Sequence, residues 1–147
     1  MADASALVGT WLLVSFERWS NGQVSYPMGR DARGYISYDS FGRMSCQIMR
    51  AGRPELTSGQ WDDATLEELR AAAGGYLSYA GTYEVDEAGS TVTHVVDGHL
   101  LPNGVGTRLE RRFEVQGNRL TLYTSPGGGT PKGGTPEGGR LTWERVA

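Results

Sequence analysis

One arginine and one histidine stand in apolar rows of segments that alternate as β-strands do. In residues 107–115, Arg111 shares a face with Leu109 and Phe113, whereas the opposite face carries only charged side chains. His94 has a valine two residues before it and another two residues after it. A guanidinium or imidazole that faces an apolar interior needs a hydrogen-bonding partner or a ligand to offset its desolvation. The two residues therefore predict an interior that contains a polar site.

These residue types predict chemistry on a carbonyl compound. Arg111 would stabilise negative charge that develops on a carbonyl oxygen, and His94 would act as general acid or base because its ordinary pKa is near neutrality. Tyr79 and Tyr83, which share a face of residues 76–86, would donate hydrogen bonds. The predicted catalytic residues are His94, Arg111 and Tyr83. A structural role fits the same pattern, with Arg111 in an internal network and His94 as a satisfied core residue, and the sequence does not separate the two.

Further side chains are expected on the wall of the same interior. The predicted ligand-binding residues are Tyr38, Met44, Gln47, Tyr79, Phe113 and Trp143. Cys46 has apolar neighbours, which predicts a buried and inert thiol. Arg145 is expected to stack on Trp11 by a cation–π contact at one end of the fold, so we predict a structural role for this pair. His99 follows the strand of His94 and is expected to be more exposed.

The composition excludes several classes of protein. A chain of 147 residues fits one domain, residues 1–147, and the net charge of -3 argues against a nonspecific nucleic-acid binder. No apolar stretch approaches the length of a membrane span, and the first residues lack the character of a signal peptide. We therefore expect a cytoplasmic protein that binds neither nucleic acid nor membrane.

Motifs for cofactors and for covalent catalysis are also missing. The 2 histidines have neither H-x-H nor H-E-x-x-H spacing, and the single cysteine cannot build a metal cluster. The sequence contains no G-x-S-x-G nucleophile elbow and no dinucleotide fingerprint. Any reaction would therefore use acid–base groups, electrostatics and the shape of the interior, and we expect no cofactor and no metal.

Short strands joined by tight turns must position these side chains. Glycine supplies 22 of the 147 residues, about twice the ordinary share of about 7%, which indicates many turns. β-Branched and aromatic segments predict strands at residues 7–19, 34–39, 43–50, 76–86, 91–97, 106–115, 120–124 and 141–146. This spacing is typical of an antiparallel sandwich or barrel, so the predicted fold class is all-β.

Two segments depart from the strand pattern. Residues 65–73 are rich in helix formers, Thr65 and Glu68 have the spacing of a capping box, and Gly74 is expected to end the helix in the left-handed conformation. This helix would cross one end of the sheet, either as a lid or as a plain connector. Residues 125–139 repeat Gly, Thr and Pro, which predicts a flexible loop over residues 126–139 between the last two strands.

The order of several short motifs resembles that of the bacterial and fungal lipocalin-like domain proteins, within the calycin superfamily. The chain opens with Gly9-x-Trp11 and carries Arg145 near its end, and both features are typical of calycin barrels. Further matching motifs are residues 26–29, 34–38, 42–45, 75–76, 79–83, 91–94, 102–103, 120–122 and 141–145. The resemblance implies a single antiparallel β-barrel of about eight to ten strands, with one short helix, one open mouth and a cavity for a small, largely hydrophobic molecule. It implies no particular reaction.

Two functions remain open from the sequence, and we prefer the first. The first is a cofactor-independent cyclase or isomerase of natural-product biosynthesis that acts on a hydrophobic, carbonyl-bearing molecule such as a polyketide-type intermediate. The second is a non-catalytic carrier or sensor of a small hydrophobic ligand, in which the same polar groups only orient the ligand. A weaker third alternative is a barrel with a filled interior and no ligand. The expected partner is a small hydrophobic molecule, and a homodimer stays open.

Overall fold

The structure, a computed structural model, describes residues 3–124 and 138–147. Within these residues the chain forms nine strands and one α-helix, α1 (Leu66–Gly74). The strands are β1 (Gly9–Ser20), β2 (Gln23–Ser25), β3 (Arg33–Tyr38), β4 (Arg43–Met49), β5 (Tyr76–Asp86), β6 (Thr91–His99), β7 (Arg108–Gln116), β8 (Arg119–Thr124) and β9 (Gly138–Arg145). The predicted loop over residues 126–139 lies outside the described residues as far as residue 137, and Gly138 and Gly139 already belong to β9.

The strands close into a barrel because β1 pairs on both of its sides. Trp11 of β1 is opposite Ile36 of β3 and also opposite Arg145 of β9. Every neighbouring pair is antiparallel, and the order around the sheet follows the order in the sequence. The short strand β2 pairs only with the end of β1, so it adds a ninth strand to a ring of eight. The predicted all-β antiparallel barrel of eight to ten strands with one short helix is confirmed.

Regular alternation fills the interior of this barrel. In β4, Met44, Cys46 and Ile48 are buried, whereas the residues between them face outward. The remaining buried apolar residues form one continuous core: Leu7, Trp11, Leu13, Ile36, Tyr38, Tyr79, Val92, Val96, Phe113, Leu120, Leu122, Leu141 and Trp143. One buried residue among those described is polar, His94.

The helix begins as the sequence predicts and ends differently. The Thr65 hydroxyl accepts from the Glu68 backbone N–H, and the Glu68 carboxylate accepts from the Thr65 backbone N–H, which completes the capping box. Gly74 is the last helical residue rather than a left-handed one, and Gly75 caps the helix with φ −97°. A side chain at Gly75 would meet Arg53 at 2.8 Å and the Ala71 carbonyl at 3.1 Å. Glycine is required there for space and not for conformation, which corrects the prediction.

The two ends of the barrel differ in their connections. At one end, which we call the closed end, residues 39–42, 87–90 and 117–118 make short turns between strands. At the other, the open end, residues 21–32, 50–75 and 100–107 make longer connections, and the second of these contains α1. A ligand site therefore has more space at the open end than at the closed end.

Trp11 and Arg145 fill the closed end, as predicted. The Arg145 guanidinium lies 4.2 Å from the centroid of the Trp11 ring. It also donates to the Val8 carbonyl at 2.6 Å and to the Ala6 carbonyl at 2.7 Å. The Trp11 indole N–H donates to the Leu7 carbonyl at 2.9 Å. These three hydrogen bonds hold the N-terminal segment over the end of the barrel.

The described part of the chain, residues 3–124 and 138–147, contains neither a membrane-spanning helix nor a cluster of metal ligands. None of its helices has the length and apolar character needed to cross a membrane. It also holds no group of three or more His, Cys, Asp and Glu side chains that could bind a metal ion.

Candidate functional site

An interior cavity of about 170 Å³ lies in the half of the barrel toward the open end. Polar side chains reach it from six strands, and His94, Tyr79, Arg111 and Cys46 are four of them. Arg18 and Thr124 also line it, and the apolar lining residues are Phe16, Ile36, Ile48, Leu77, Leu122, Leu141 and Trp143. The cavity therefore combines a mostly apolar wall with a few converging polar groups, the usual composition of a small-molecule site.

His94 is held between two tyrosines from other strands. Its side chain is completely buried. The Nε2 atom lies 2.7 Å from the hydroxyl oxygen of Tyr38, and the Nδ1 atom lies 2.8 Å from the hydroxyl oxygen of Tyr79. The structure thus brings together the predicted acid–base residue and two of the predicted ligand-binding residues.

Burial keeps His94 neutral. Desolvation lowers the pKa of His94 to about 3, and the positive charge of Arg111 acts in the same direction. A neutral imidazole has one donor and one acceptor nitrogen, so one tyrosine hydroxyl donates to the ring and the other accepts from it. The expectation of a pKa near neutrality is therefore wrong, because the prediction assumed ordinary solvation and the His94 side chain is fully buried. His94 can hold hydrogen bonds but is not poised to exchange protons at neutral pH.

Arg111 and Cys46 both act on the Tyr79 hydroxyl. Burial, and then the neighbouring Cys46, raise the pKa of Tyr79, whereas Arg111 opposes this rise by its charge and by a hydrogen bond. The half-buried guanidinium donates to the Glu110 carbonyl at 3.2 Å. Arg111 forms no salt bridge within residues 3–124 and 138–147, so its charge remains available to a ligand.

Cys46 does not add a nucleophile to this site. Its side chain is 3% exposed, and burial raises the pKa of the thiol to about 12. The thiolate is the reactive form, so the thiol is inert at neutral pH, as the apolar neighbours predict.

Tyr83 lies outside the cavity wall. Its ring meets the Tyr38 ring edge-on, with 5.0 Å between the centroids, and its hydroxyl donates to the Asp39 carbonyl at 2.6 Å. Asp39 belongs to the turn at the closed end, so Tyr83 is half-buried and directed away from His94. The prediction that this hydroxyl faces the cavity is therefore wrong. The Tyr83 ring instead packs against the Tyr38 ring.

Of three other predicted ligand-binding residues, only Trp143 lines the cavity. Met44 and Phe113 belong to the buried core cluster but not to the cavity wall. Trp143 does line the cavity. Its indole N–H is buried and has no hydrogen-bond partner among the described residues.

Gln47 faces the outside of the barrel, which corrects its assignment to the ligand site. Cys46 and Ile48 on either side of it point inward, so the alternation of the strand turns Gln47 outward. It lines a groove of about 740 Å³ on the outer face of β1, β3 and β4, together with Arg33 and Tyr35. This groove is larger than the cavity, but none of its polar side chains is buried. We therefore take the interior cavity as the candidate site.

Several cavity residues were not predicted, and a β-bulge is the reason for two of them. Trp11 and Leu13 of β1 point inward. Simple alternation would turn the following odd-numbered side chains inward as well. The pairing of β1 with β9 shifts between Leu13 and Ser15, and after this bulge Phe16 and Arg18 reach the cavity. A bulge changes the side to which later side chains point, and no signal in the sequence marks it.

Comparison with known proteins gives three results. Residues 8–146 match the lipocalin-like domain family. The 4'-hydroxy-3'-methoxypropiophenone carrier protein ppsC of Aspergillus oryzae is 37% identical over 87 residues, which are 55% of this chain and 78% of that protein. The crystal structure of a lipocalin-like protein from Bacteroides uniformis superposes with a TM-score of 0.50 and 14% identity, over 96% of this chain and 99% of that one.

Proposed function

The chain belongs to the lipocalin-like domain family, and we propose that it is a non-catalytic carrier of a small carbonyl compound with a single aromatic ring. The observation that carries this proposal is the 170 Å³ cavity onto which Tyr79 and Arg111 converge. A cavity of about 150 Å³ accommodates one benzene ring. A substrate that must fold into several rings needs more space than this.

The electrostatics of the site also favour binding over catalysis. General acid–base catalysis is most efficient with a pKa near the working pH, whereas the pKa of His94 is lowered to about 3. The pKa values of Tyr38 and Tyr79 are raised by burial. None of these three groups changes its protonation state near neutrality, so each serves as a fixed donor or acceptor.

The ligand is oriented by its carbonyl oxygen. Arg111 supplies donors on the cavity wall, and the Tyr79 hydroxyl beside it is a further hydrogen-bonding group. The apolar lining residues, such as Phe16, Leu122 and Leu141, pack against the ring. The Aspergillus oryzae relative carries an aryl ketone by its name, and this supports the same ligand class for this chain.

Isothermal titration with 4'-hydroxy-3'-methoxypropiophenone tests the proposal. We expect a one-to-one complex from which the ligand is recovered chemically unchanged. Tyr79→Phe should weaken binding by about three- to tenfold, the usual contribution of one neutral hydrogen bond. Tyr35→Phe is the matched control, because Tyr35 is 51% exposed on the outer face, and it should leave the affinity unchanged. Absence of binding at millimolar ligand would contradict the proposal.

A cofactor-independent cyclase or isomerase is the second candidate, favoured by the placement of a guanidinium beside the Tyr79 hydroxyl. Such a pair could stabilise an enolate oxygen. Conversion of a carbonyl compound to a new product, and loss of this conversion in Arg111→Met, would replace the carrier proposal with this one.

A further inference from the structure

A second pocket, of about 410 Å³, lies beside the cavity beneath α1. Its wall is formed mainly by Met28, Leu77, His99, Leu100 and Leu101, with Arg70 of the helix also lining it. We call it the outer pocket. It is more than twice as large as the cavity of about 170 Å³, and Leu100 and Leu101 leave apolar surface open to solvent.

Two contacts join the outer pocket to the cavity. Leu77 lines both. Tyr79, on the cavity wall, stacks on His99 of the outer pocket with 5.8 Å between the ring centroids and 9° between their planes. The two spaces are thus separated by the thickness of one or two side chains. A molecule that is longer than the cavity would reach the outer pocket by passing Leu77.

The position of His99 is set by its neighbours. Its Nδ1 accepts from the Leu101 backbone N–H at 2.9 Å, so the neutral ring carries its proton on Nε2. A side chain on Gly104 would come within 2.3 Å of the ring, and the absence of one leaves room for the ring to lie flat against Tyr79. The His99 ring therefore has a fixed position against Tyr79, between the outer pocket and the cavity.

The chemistry of the outer pocket fits an apolar chain. Its leucines and methionine offer dispersion contacts and area for burial. Arg70 is exposed, and within residues 3–124 and 138–147 its side chain forms no hydrogen bond or ion pair. A positive group at the rim excludes a cationic chain end and favours an acidic one.

We propose that the outer pocket binds the apolar acyl chain of the same ligand whose aromatic ring occupies the cavity, with the chain end beside Arg70. This inference rests on the proposed carrier function and specifies its ligand class. The ligand is an aryl ketone with a chain of several carbons, and a terminal carboxylate adds affinity. The cavity alone holds one ring, so the chain has to leave it, and Leu77 marks the side on which a large apolar space is adjacent.

A series of alkyl phenyl ketones from acetophenone to hexanophenone tests this inference by isothermal titration. Burial of a methylene is worth up to about fourfold in affinity, and a half-open pocket gives less, so we expect about twofold for each added carbon. Leu101→Ser should remove about three- to fivefold from hexanophenone binding and leave acetophenone binding unchanged. Val105→Ser is the matched control: Val105 is also exposed in the same connection but does not line the outer pocket, and it should affect neither ligand.

The chain end is tested with 6-oxo-6-phenylhexanoate in place of hexanophenone. The carboxylate should tighten binding by about two- to fivefold, the range of an exposed ion pair, and Arg70→Gln should remove only this increment. If acetophenone binds but longer chains bind no tighter, or if Leu101→Ser weakens both ligands equally, the inference is overturned while the carrier proposal stands. If acetophenone itself does not bind, the carrier proposal fails first.

Discussion

Two fully buried tryptophans mark the difference between the closed end and the cavity. At the closed end, the indole N–H of Trp11 donates to the Leu7 carbonyl. Trp143, which lines the cavity, is equally buried, but its N–H has no partner among the described residues. The same residue type is thus satisfied at the closed end and left unsatisfied in the wall of the cavity.

Two arginines repeat this comparison. Arg145 at the closed end donates to two backbone carbonyls at 2.6 and 2.7 Å and lies over an aromatic ring. Arg111 beside the cavity donates to a neighbouring carbonyl at the longer distance of 3.2 Å and is also hydrogen-bonded to the Tyr79 hydroxyl. An unsatisfied buried donor costs free energy, so the closed end is complete without a ligand and the open end gains from one.

The largest effect that we expect is a loss of folding stability in acid, caused by His94 in the cavity. Below about pH 6.5, the ordinary pKa of histidine, the unfolded chain takes up a proton on His94 that the folded chain, with a pKa of about 3, does not. Stability from this residue is therefore complete above about pH 6.5 and falls as the pH decreases toward 3, by up to about 1.4 kcal/mol per pH unit. Urea unfolding between pH 7.5 and 4.5 measures this slope.

His94→Phe is the variant that identifies the residue responsible for the slope. It should be less stable at pH 7.5, because Tyr38 and Tyr79 lose their partner, and it should show a smaller loss of stability on acidification. An unchanged slope in His94→Phe would mean that acid acts elsewhere and would contradict the lowered pKa of His94.

The next effect concerns the closed end. Arg145→Ala should lower the free energy of unfolding by about 1–3 kcal/mol, since it removes a cation–π contact and leaves two carbonyls without their donor. Arg140→Ala is the comparison at the open end, where the guanidinium lies 5.5 Å from the Trp19 ring and pairs with Glu17. That pair is partly exposed, so its loss should cost about 1 kcal/mol or less. Equal losses of unfolding free energy in the two variants would contradict the claim that the closed end is held more tightly than the open end.

The smallest effect concerns the helix over the outer pocket. Thr65→Ala removes the N-cap of α1 and should cost about 1 kcal/mol. We expect the loss to appear as faster hydrogen exchange in α1, with the amides of β1 and β9 near Trp11 and Arg145 unchanged. Faster exchange throughout the barrel would instead show that the helix is part of the same cooperative unit as the closed end.

Strand alternation was sufficient to place His94 and Arg111 in the cavity. His94 and Arg111 were expected inside because their neighbours two residues away are apolar, and the structure puts both on the cavity wall. The capping box and the pairing of Trp11 with Arg145 were also expected from local motifs. These features depend on residues that are close in sequence or on a repeated period.

The partners of these residues could not be predicted in the same way. Tyr38 and His94 are 56 positions apart in the sequence, and their contact depends on the closure of the barrel. The bulge after Leu13 reverses the facing of Phe16 and Arg18. Burial by distant strands also determines the pKa of His94, which local sequence predicts to be ordinary. The facing of a residue within its strand is thus readable from sequence, whereas its depth of burial and its hydrogen-bond partners are properties of the closed fold.

Arg111 and Arg112 are adjacent in β7, and their comparison tests the central claim that the open end binds a carbonyl compound through its interior arginine. Arg112 lies 3.9 Å from the Tyr123 ring and bonds Glu114, outside the cavity, so Arg112→Met is the control for Arg111→Met. Isothermal titration with propiophenone should show binding weakened by at least about tenfold in Arg111→Met, in line with loss of a charged hydrogen bond, and unchanged in Arg112→Met. The thermal midpoint of Arg111→Met should stay the same or rise, because a partly buried charge without a salt bridge has been replaced by an apolar chain. Full propiophenone affinity in a folded Arg111→Met protein would contradict the account.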